Sequence, residues 1–255
     1  MSWSVGAGLE GKGVIVTGAA GGIGKGVAEA FALAGARVMV VDLDEKAVES
    51  VRAGLTGKGH AAATVDLRDL KAQVALIERT RQEFGNLYVL AHLAGVLRRR
   101  MSLTDITEED WDLQVDVNLK ATFFLCRAAA EAMKAQGQGG RIIAFTSQAW
   151  WTGSFGGGAV YAATKGGMVS LLRSFARSYG PHGITINTIA PGQVNTPMLT
   201  TGNDPAVIKS MADATPLKRI AEPAEMVGTV VFLASSHAGF ITGATINATG
   251  GFLMY

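Results

Sequence analysis

Short, fully apolar runs alternate along this chain with segments whose apolar residues recur every three or four positions. The runs Gly13–Thr17, Arg37–Asp42, Ala61–Val65, Leu87–Leu93, Arg141–Thr146, Ile184–Ala190 and Ala244–Thr249 predict seven strands. Between them the helical period predicts helices over Ile23–Ala34, Glu45–Leu55, Leu70–Phe84 and, as one long element, Glu108–Gln136. A run such as Val38–Val41 offers no polar face, which suits a strand covered on both sides and hence a parallel sheet. The alternation predicts an α/β fold: a doubly wound, seven-stranded parallel sheet with helices on both faces. No linker, repeat or charge block divides residues 1–255, so a single domain is expected.

Composition narrows the function classes. With 48% hydrophobic residues among 255, the chain can bury a sizeable core and is not a disordered one. The 23 Lys and Arg against 21 Asp and Glu leave a net charge of +2, too slight for a nucleic-acid footprint. The lone Cys126 excludes an intrachain disulfide, fits a reducing compartment, and reads as a small core residue among Leu125, Ala128 and Ala129. Met1–Gly13 shows no basic-then-apolar leader, and no apolar run reaches membrane-spanning length, so a cytoplasmic protein without membrane contact is expected. No metal site is expected.

Two stretches break the alternation, Trp150–Gly158 and Pro191–Pro205. Each follows a strand and should sit at the carboxyl edge of the sheet, where open α/β folds bind ligands. At the other end of the chain, Thr17-Gly-Ala-Ala-Gly-Gly-Ile-Gly24 lies between the first strand and the first helix. Glycines there permit a tight turn and bring backbone N–H groups to a pyrophosphate. With 33 glycines in the chain the spacing alone is a weak signal, and its position between strand and helix gives it weight. Asp42 ends the second strand 18 residues after Gly24, where a carboxylate binds ribose hydroxyls and repels a 2′-phosphate. The cofactor predicted is NAD rather than NADP. No Arg or Lys lies within Gly18–Gly24 or directly after Asp42 to offset that charge, although Lys25 borders the turn.

Tyr161 and Lys165 are four apart in a helix-like segment and project from one face. A nearby cation stabilises a phenolate, so Tyr161 is a candidate proton donor and acceptor for an alcohol or carbonyl. The pair gains specificity in company. Together with Thr17-Gly-x-x-x-Gly-x-Gly24, Ala94-Gly95, Asn118, Ser147, and Pro191-Gly192 with Thr196, it resembles the short-chain dehydrogenase/reductase family over essentially the whole chain.

That resemblance implies a Rossmann fold and a set of roles. Tyr161 would be the general acid/base, and Lys165 would bind the nicotinamide ribose and lower the Tyr161 pKa. Ser147 would hold the reacting oxygen, and Asn118 would maintain a water-linked proton path to Lys165. Gly18, Gly22, Ile23 and Gly24 would form the pyrophosphate turn, Asp66 with Leu67 would meet the adenine, and Ala94 and Gly95 would flank the cofactor. Pro191, Gly192, Val194 and Thr196 would position the nicotinamide. A homotetramer is implied, with contacts from helices around Phe123–Met133 and Leu171–Tyr179 and from Phe252–Tyr255.

The sequence departs from the family in two places. His92-Leu93-Ala94-Gly95 stands where Asn-Asn-Ala-Gly is common, so a histidine replaces an asparagine that helps hold sheet and cofactor; a satisfied histidine is expected there rather than a catalytic one. Ser147 precedes Tyr161 by 14 residues, one more than usual, and the Gly156–Gly158 loop is expected to absorb the difference.

For the substrate, Arg98-Arg99-Arg100 follows Ala94-Gly95, and arginine binds carboxylates bidentately. The loop Gly95–Arg99 and the ending Gly250-Gly251-Phe252-Leu253 look like those of sugar-acid dehydrogenases such as gluconate 5-dehydrogenase and 2-deoxygluconate 3-dehydrogenase. Arg98 and Arg99 are therefore candidate ligands for an anionic sugar or hydroxy acid, a small-molecule substrate. Trp150 and Trp151, close to Ser147, are candidates for stacking on a sugar face or lining a pocket for a cyclic or aromatic alcohol. The alternatives are a 3-oxoacyl-thioester reductase, which Asp42 disfavours, a dehydrogenase of apolar alcohols, and a non-catalytic NAD-binding regulator.

Overall fold

Seven strands, β1 (Gly13–Thr17), β2 (Arg37–Asp42), β3 (Ala61–Thr64), β4 (Val89–His92), β5 (Gly140–Phe145), β6 (Ile184–Pro191) and β7 (Thr245–Ala248), pair in the order β3-β2-β1-β4-β5-β6-β7. Every pairing is parallel. The computed structural model describes residues 4–154 and 156–255; Met1–Trp3, with which the leader reading begins, and Phe155 of the Trp150–Gly158 stretch lie outside the described residues. The helices are α1 (Gly22–Leu33), α2 (Glu45–Gly54), α3 (Leu70–Phe84), α4 (Glu108–Val115), α5 (Ala121–Gln136), α6 (Ala149–Thr152), α7 (Ala159–Tyr179), α8 (Pro197–Thr200), α9 (Pro205–Ala214) and α10 (Ala224–Ala234). Among the described residues no helix is long and apolar enough to cross a membrane.

Strand alternation divides the core into two layers. Val14, Val16, Val38, Val40, Val89 and Ile143 pack with Phe31 of α1, Val48 of α2 and Val230 of α10. The intervening Ile15, Met39, Leu90 and Ile142 point the other way, onto Ile77 of α3, Leu125 of α5 and Leu172 of α7. Fully burying a side chain such as Phe31 or Leu90 contributes about 1.5–3 kcal/mol over leaving it exposed. Cys126 belongs to the second layer, where burial pushes its thiol up to about 12. Local signals fix the helix ends. Asp44 caps α2 by accepting from the Ala47 N–H, Asp69 caps α3 through Lys71 and Ala72, and Gly85 ends α3 at φ +74°.

The long helix predicted over Glu108–Gln136 is two helices joined by a π-helical turn, Asp116–Lys120. Thr107 and Asp110 cap α4 reciprocally, and the ladder then slips by one residue where the Asn118 side chain is bonded outside the helix, to the Val96 backbone. Helices α6, α8, α9 and α10 lie where no helix was predicted.

Because β1 and β4 are neighbours whose crossovers run to opposite sides, their carboxyl ends form the switch point of the sheet. Register sets Thr17 opposite His92 there. His92 is buried, with Nδ1 2.8 Å from Thr17 Oγ1 and Nε2 2.9 Å from Thr122 Oγ1. Burial, with the Lys165 charge as a second cause, pushes its pKa down to about 3. The folded state therefore binds fewer protons at this site than the unfolded chain, whose histidine titrates near 6.5. The contribution is complete above pH 6.5 and is lost as the pH falls towards 3, by up to about 1.4 kcal/mol per pH unit. In denaturant melts between pH 7 and 4, His92→Asn is expected to lose stability less steeply than the wild type; parallel curves would mean that His92 does not carry this dependence.

Candidate active site

A cavity of about 620 Å³ opens at the carboxyl ends of the strands, a volume suited to a cofactor with its substrate. Its nucleotide end is built around Gly18 and Gly24. Gly18 has φ +68°, and a Cβ there would lie 2.7 Å from the Ala94 nitrogen. A Cβ on Gly24 would strike the Gly18 carbonyl. The turn can therefore close only on glycine, and it delivers the N-terminus of α1 to the cavity. Gly21 caps that helix without a side chain and its first turn carries no acid, so backbone N–H groups are left to an anion. Gly18, Gly22, Ile23 and Gly24 all line the cavity, as do Ala94, Gly95, Pro191, Gly192, Val194 and Thr196.

Asp42 lines the same end, with Oδ2 accepting from the Ala20 N–H at 2.9 Å and Oδ1 from the Leu43 N–H at 2.7 Å. Its carboxylate thus ties the end of β2 to the glycine turn. Asp66 and Leu67 are also in the wall, but Asp66 is already engaged: both its oxygens take Arg68, as close as 2.6 Å. The Arg68 guanidinium holds that carboxyl below its usual range. Arg68 is the cation that the sequence reading missed, since that search stopped at the residues next to Asp42. Only the sheet order, with β3 beside β2, brings it to the Asp42 end of the cavity.

At the chemical end, Ser147, Tyr161 and Lys165 face the cavity. Ser147 follows β5, and Tyr161 and Lys165 share one face of α7, with the Lys165 Nζ 5.7 Å from the Tyr161 ring centroid. Nζ donates to the Phe145 carbonyl at 2.7 Å. Burial pushes Lys165 down to about 8. The expectation that Lys165 lowers the Tyr161 pKa is not met in this cavity. Burial raises the phenol above its ordinary value, and the groups acting against it are the Ser147 hydroxyl and the Arg99 charge.

Asn118 stands behind this surface rather than in it. Its Oδ1 accepts from the Val96 N–H and its Nδ2 donates to the Val96 carbonyl, both at 2.8 Å, with Thr164 Oγ1 a further partner at 3.3 Å. The side chain clamps the strand-like segment that floors the cavity.

The three arginines part company. Arg100 forms a two-point ion pair with buried Asp110, at 2.7 and 2.8 Å, which holds that carboxyl well below the usual range. Arg98 has its backbone N–H on Gln114 Oε1, and its side chain, exposed like those of Arg99 and Arg100, is not part of the cavity wall. Arg99 alone of the three lines the cavity. Behind Arg100, a Cβ on Gly157 would strike its backbone, so the Gly156–Gly158 turn expected to absorb the additional residue abuts the arginine loop. Trp150 and Trp151 are corrected too. The short α6 turns both rings away from the cavity onto Tyr255, with centroids 5.7 and 5.4 Å from its ring. Apolar side chains unassigned from sequence, among them Leu97, Leu113, Val117, Met198 and Leu199, complete the wall.

Comparison with known proteins agrees with this geometry. Residues 18–253 match a family model described as enoyl-(acyl carrier protein) reductase. The chain is 36% identical over 253 residues to the 2-dehydro-3-deoxy-D-gluconate 5-dehydrogenase of Escherichia coli K12, covering 96% of each chain. It is 35% identical over 250 residues to a human (3R)-3-hydroxyacyl-CoA dehydrogenase, covering 94% of this chain and 95% of that one. A short-chain type dehydrogenase/reductase from Mycobacterium marinum superposes with a TM-score of 0.90 at 29% identity, with 97% of both chains covered. The chain belongs to the short-chain dehydrogenase/reductase family, oxidoreductases that act on CH–OH groups with a nicotinamide dinucleotide.

Proposed function

We propose that this enzyme interconverts a secondary alcohol and a ketone on an anionic polyhydroxy compound such as a sugar acid, with NAD as cofactor. The observation that carries the substrate class is Arg99, a cation in the cavity wall whose field reaches the Tyr161 phenol and whose neighbour Arg100 is already neutralised by Asp110. A guanidinium in that position binds a carboxylate bidentately. The sugar-acid relative in E. coli supports the same reading.

In this reading the glycine turn at Gly18, Gly22, Ile23 and Gly24 holds the pyrophosphate, and Asp42 holds the adenosine ribose. Asp66 and Leu67 border the adenine. Ala94, Gly95, Pro191, Gly192, Val194 and Thr196 bracket the nicotinamide. Bound NAD supplies the hydride acceptor. Tyr161, as the phenolate, takes the hydroxyl proton, Ser147 holds the reacting oxygen, and Lys165, with Asn118 behind it, binds the nicotinamide ribose and passes that proton on towards solvent. The cytoplasmic location and the homotetramer expected from the sequence belong to this reading as well. The second is supported by the exposure of Phe252, Met254 and Tyr255.

A second reading, reduction of 3-oxoacyl thioesters, draws on the apolar wall of Leu97, Leu113, Val117, Met198 and Leu199 and on the human hydroxyacyl-CoA relative. The packing of Trp150 and Trp151 on Tyr255 withdraws their support both from stacking on a sugar and from dehydrogenation of apolar cyclic alcohols, and leaves the latter to the same apolar wall.

Three outcomes test the proposal. Tyr161→Phe is expected to lower kcat by about 10²–10⁴-fold in an NADH-absorbance assay while leaving thermal stability near wild type; undiminished turnover would remove Tyr161 from the chemistry, whereas a folded wild type that binds NAD without turning over any alcohol would favour a non-catalytic NAD-binding role. Arg99→Ala is expected to raise KM for sugar acids at least about tenfold and to leave KM for neutral polyols unchanged. It also moves the rising limb of the oxidation rate, where Tyr161 loses its proton, to higher pH, because the cation opposing the raised phenol pKa is gone. Arg98→Ala does neither. Equal KM changes for acids and polyols, or better turnover of acyl thioesters, would give the site to the second reading. Asp42→Asn is expected to weaken NAD and tighten NADP in direct binding titrations, by about tenfold in the ratio of the two Kd values. An unchanged ratio would show that Asp42 does not decide the cofactor.

A further inference from the structure

His92 is a buried titratable side chain that does not line the cavity, yet its hydrogen bonds connect the groups that do. Their direction follows from counting hydrogens. Thr122 Oγ1 donates to the Asn118 carbonyl at 2.8 Å, so towards His92 Nε2, 2.9 Å away, it can only accept. Nε2 therefore carries the proton and Nδ1 does not. Thr17 Oγ1, 2.8 Å from Nδ1, gives its hydrogen there and accepts from the Ala94 N–H at 3.3 Å. Donation runs one way, from Ala94 through Thr17, His92 and Thr122 to the Asn118 carbonyl.

The Asn118 side chain then returns the circuit to Val96 through two 2.8 Å bonds. It also reaches Thr164 Oγ1 at 3.3 Å, which donates to the Tyr161 carbonyl at 2.7 Å. The circuit starts and finishes on the floor segment Ala94–Val96. Gly95, in its middle, is closely packed: a Cβ would sit 3.2 Å from Asn118 Oδ1 and 3.4 Å from Lys165 Nζ. One imidazole thus links the end of β1, the cavity floor, the π turn and the first turns of α7.

We propose that His92 is a positioning residue, whose Nε2–H tautomer fixes the Ala94–Val96 floor and the Asn118 turn in register with Tyr161 and Lys165. It acts on the rate of the chemical step rather than on the binding of substrate. The polarity matters because both threonines are committed. An apolar side chain orphans the Thr17 hydroxyl, and a second proton on the ring leaves that hydroxyl's hydrogen without an acceptor. An amide presents one acceptor and one donor, the same polarity as this tautomer.

The inference rests on the catalytic reading of Tyr161 and Asn118, and its test separates the two. Nitrogen-15 NMR of the histidine-labelled wild type is expected to show a protonated Nε2 and a bare Nδ1 from pH 8 to 5. His92→Phe and Thr122→Val are expected to lower kcat at least about tenfold, with KM for cofactor and substrate changed less than about threefold. Backbone exchange of the Val96 N–H accelerates in both, and His92→Gln recovers most of the rate. An Nδ1–H tautomer overturns the proposal. So does a folded His92→Phe, or a Thr122→Val, with wild-type kcat and Val96 exchange. A wild type that oxidises none of the alcohols defeats the oxidoreductase reading instead, and the tautomer and exchange measurements still decide the role of His92.

Discussion

The close approach of two backbone turns at the centre of the sheet governs everything built on its carboxyl edge. Gly18, leaving β1, packs so tightly against Leu93 and Ala94, leaving β4, that a single Cβ would overlap the Ala94 nitrogen. That contact is possible because β1 and β4 are parallel neighbours in fixed register, Thr17 opposite His92. It turns two chain crossings into one surface, with the glycine turn on one side and the Ala94–Val96 floor on the other. Backbone crowding also explains the polar side chains beneath. The strand ends bury Thr17 and His92, and a buried polar group costs free energy unless it is hydrogen-bonded. Thr122 and the Ala94 N–H satisfy them.

Most of this framework was legible from the chain. Strands buried on both faces show as unbroken apolar runs, so β1, β2 and β4–β6 could be placed within a residue or two. Apolar runs gave strands and not helix interruptions. The π turn at Asp116–Lys120 leaves the apolar period of Glu108–Gln136 nearly intact, and the cause of the slip lies outside the helix, in a bond from Asn118 to a residue 22 positions earlier. Helix α9 did carry a signal, Asp204 capping a helix that begins at Pro205, but it sat in a stretch read for its turn residues.

The site divides along the same line. Residues placed by strand ends and by α7 fell where spacing put them, because the sheet register and the helix repeat carry position over long distances. Residues on loops did not. Consecutive arginines offer no period from which to choose, and the choice of Arg99 was made by partners elsewhere: Asp110 takes Arg100, and Gln114 fixes the Arg98 backbone. Trp150 and Trp151 were close to Ser147 in sequence, but a four-residue helix was enough to turn both rings onto Tyr255. Arg68 was invisible for the opposite reason. It lies 26 residues beyond Asp42 and reaches the same wall only through the pairing of β3 with β2.

Burial sets the chemistry that these placements permit. It pushes the Tyr161 phenol up and the Lys165 ammonium down to about 8, favouring the neutral form of each. The two effects oppose the expectation of a lysine-stabilised phenolate, and Lys165 donates one of its hydrogens to the Phe145 carbonyl. What favours the phenolate is the pair Ser147 and Arg99. Arg99 therefore serves two interactions with one charge, as anchor for an anionic substrate in the proposed function and as a field on the proton-transfer group. A bound carboxylate would neutralise part of that field, making the phenol a weaker acid when the anion is in place than when it is absent. Under the proposed function, recognition of a charged substrate and readiness of the base would thus be coupled through a single side chain, and a neutral substrate would meet a differently poised tyrosine in the same cavity.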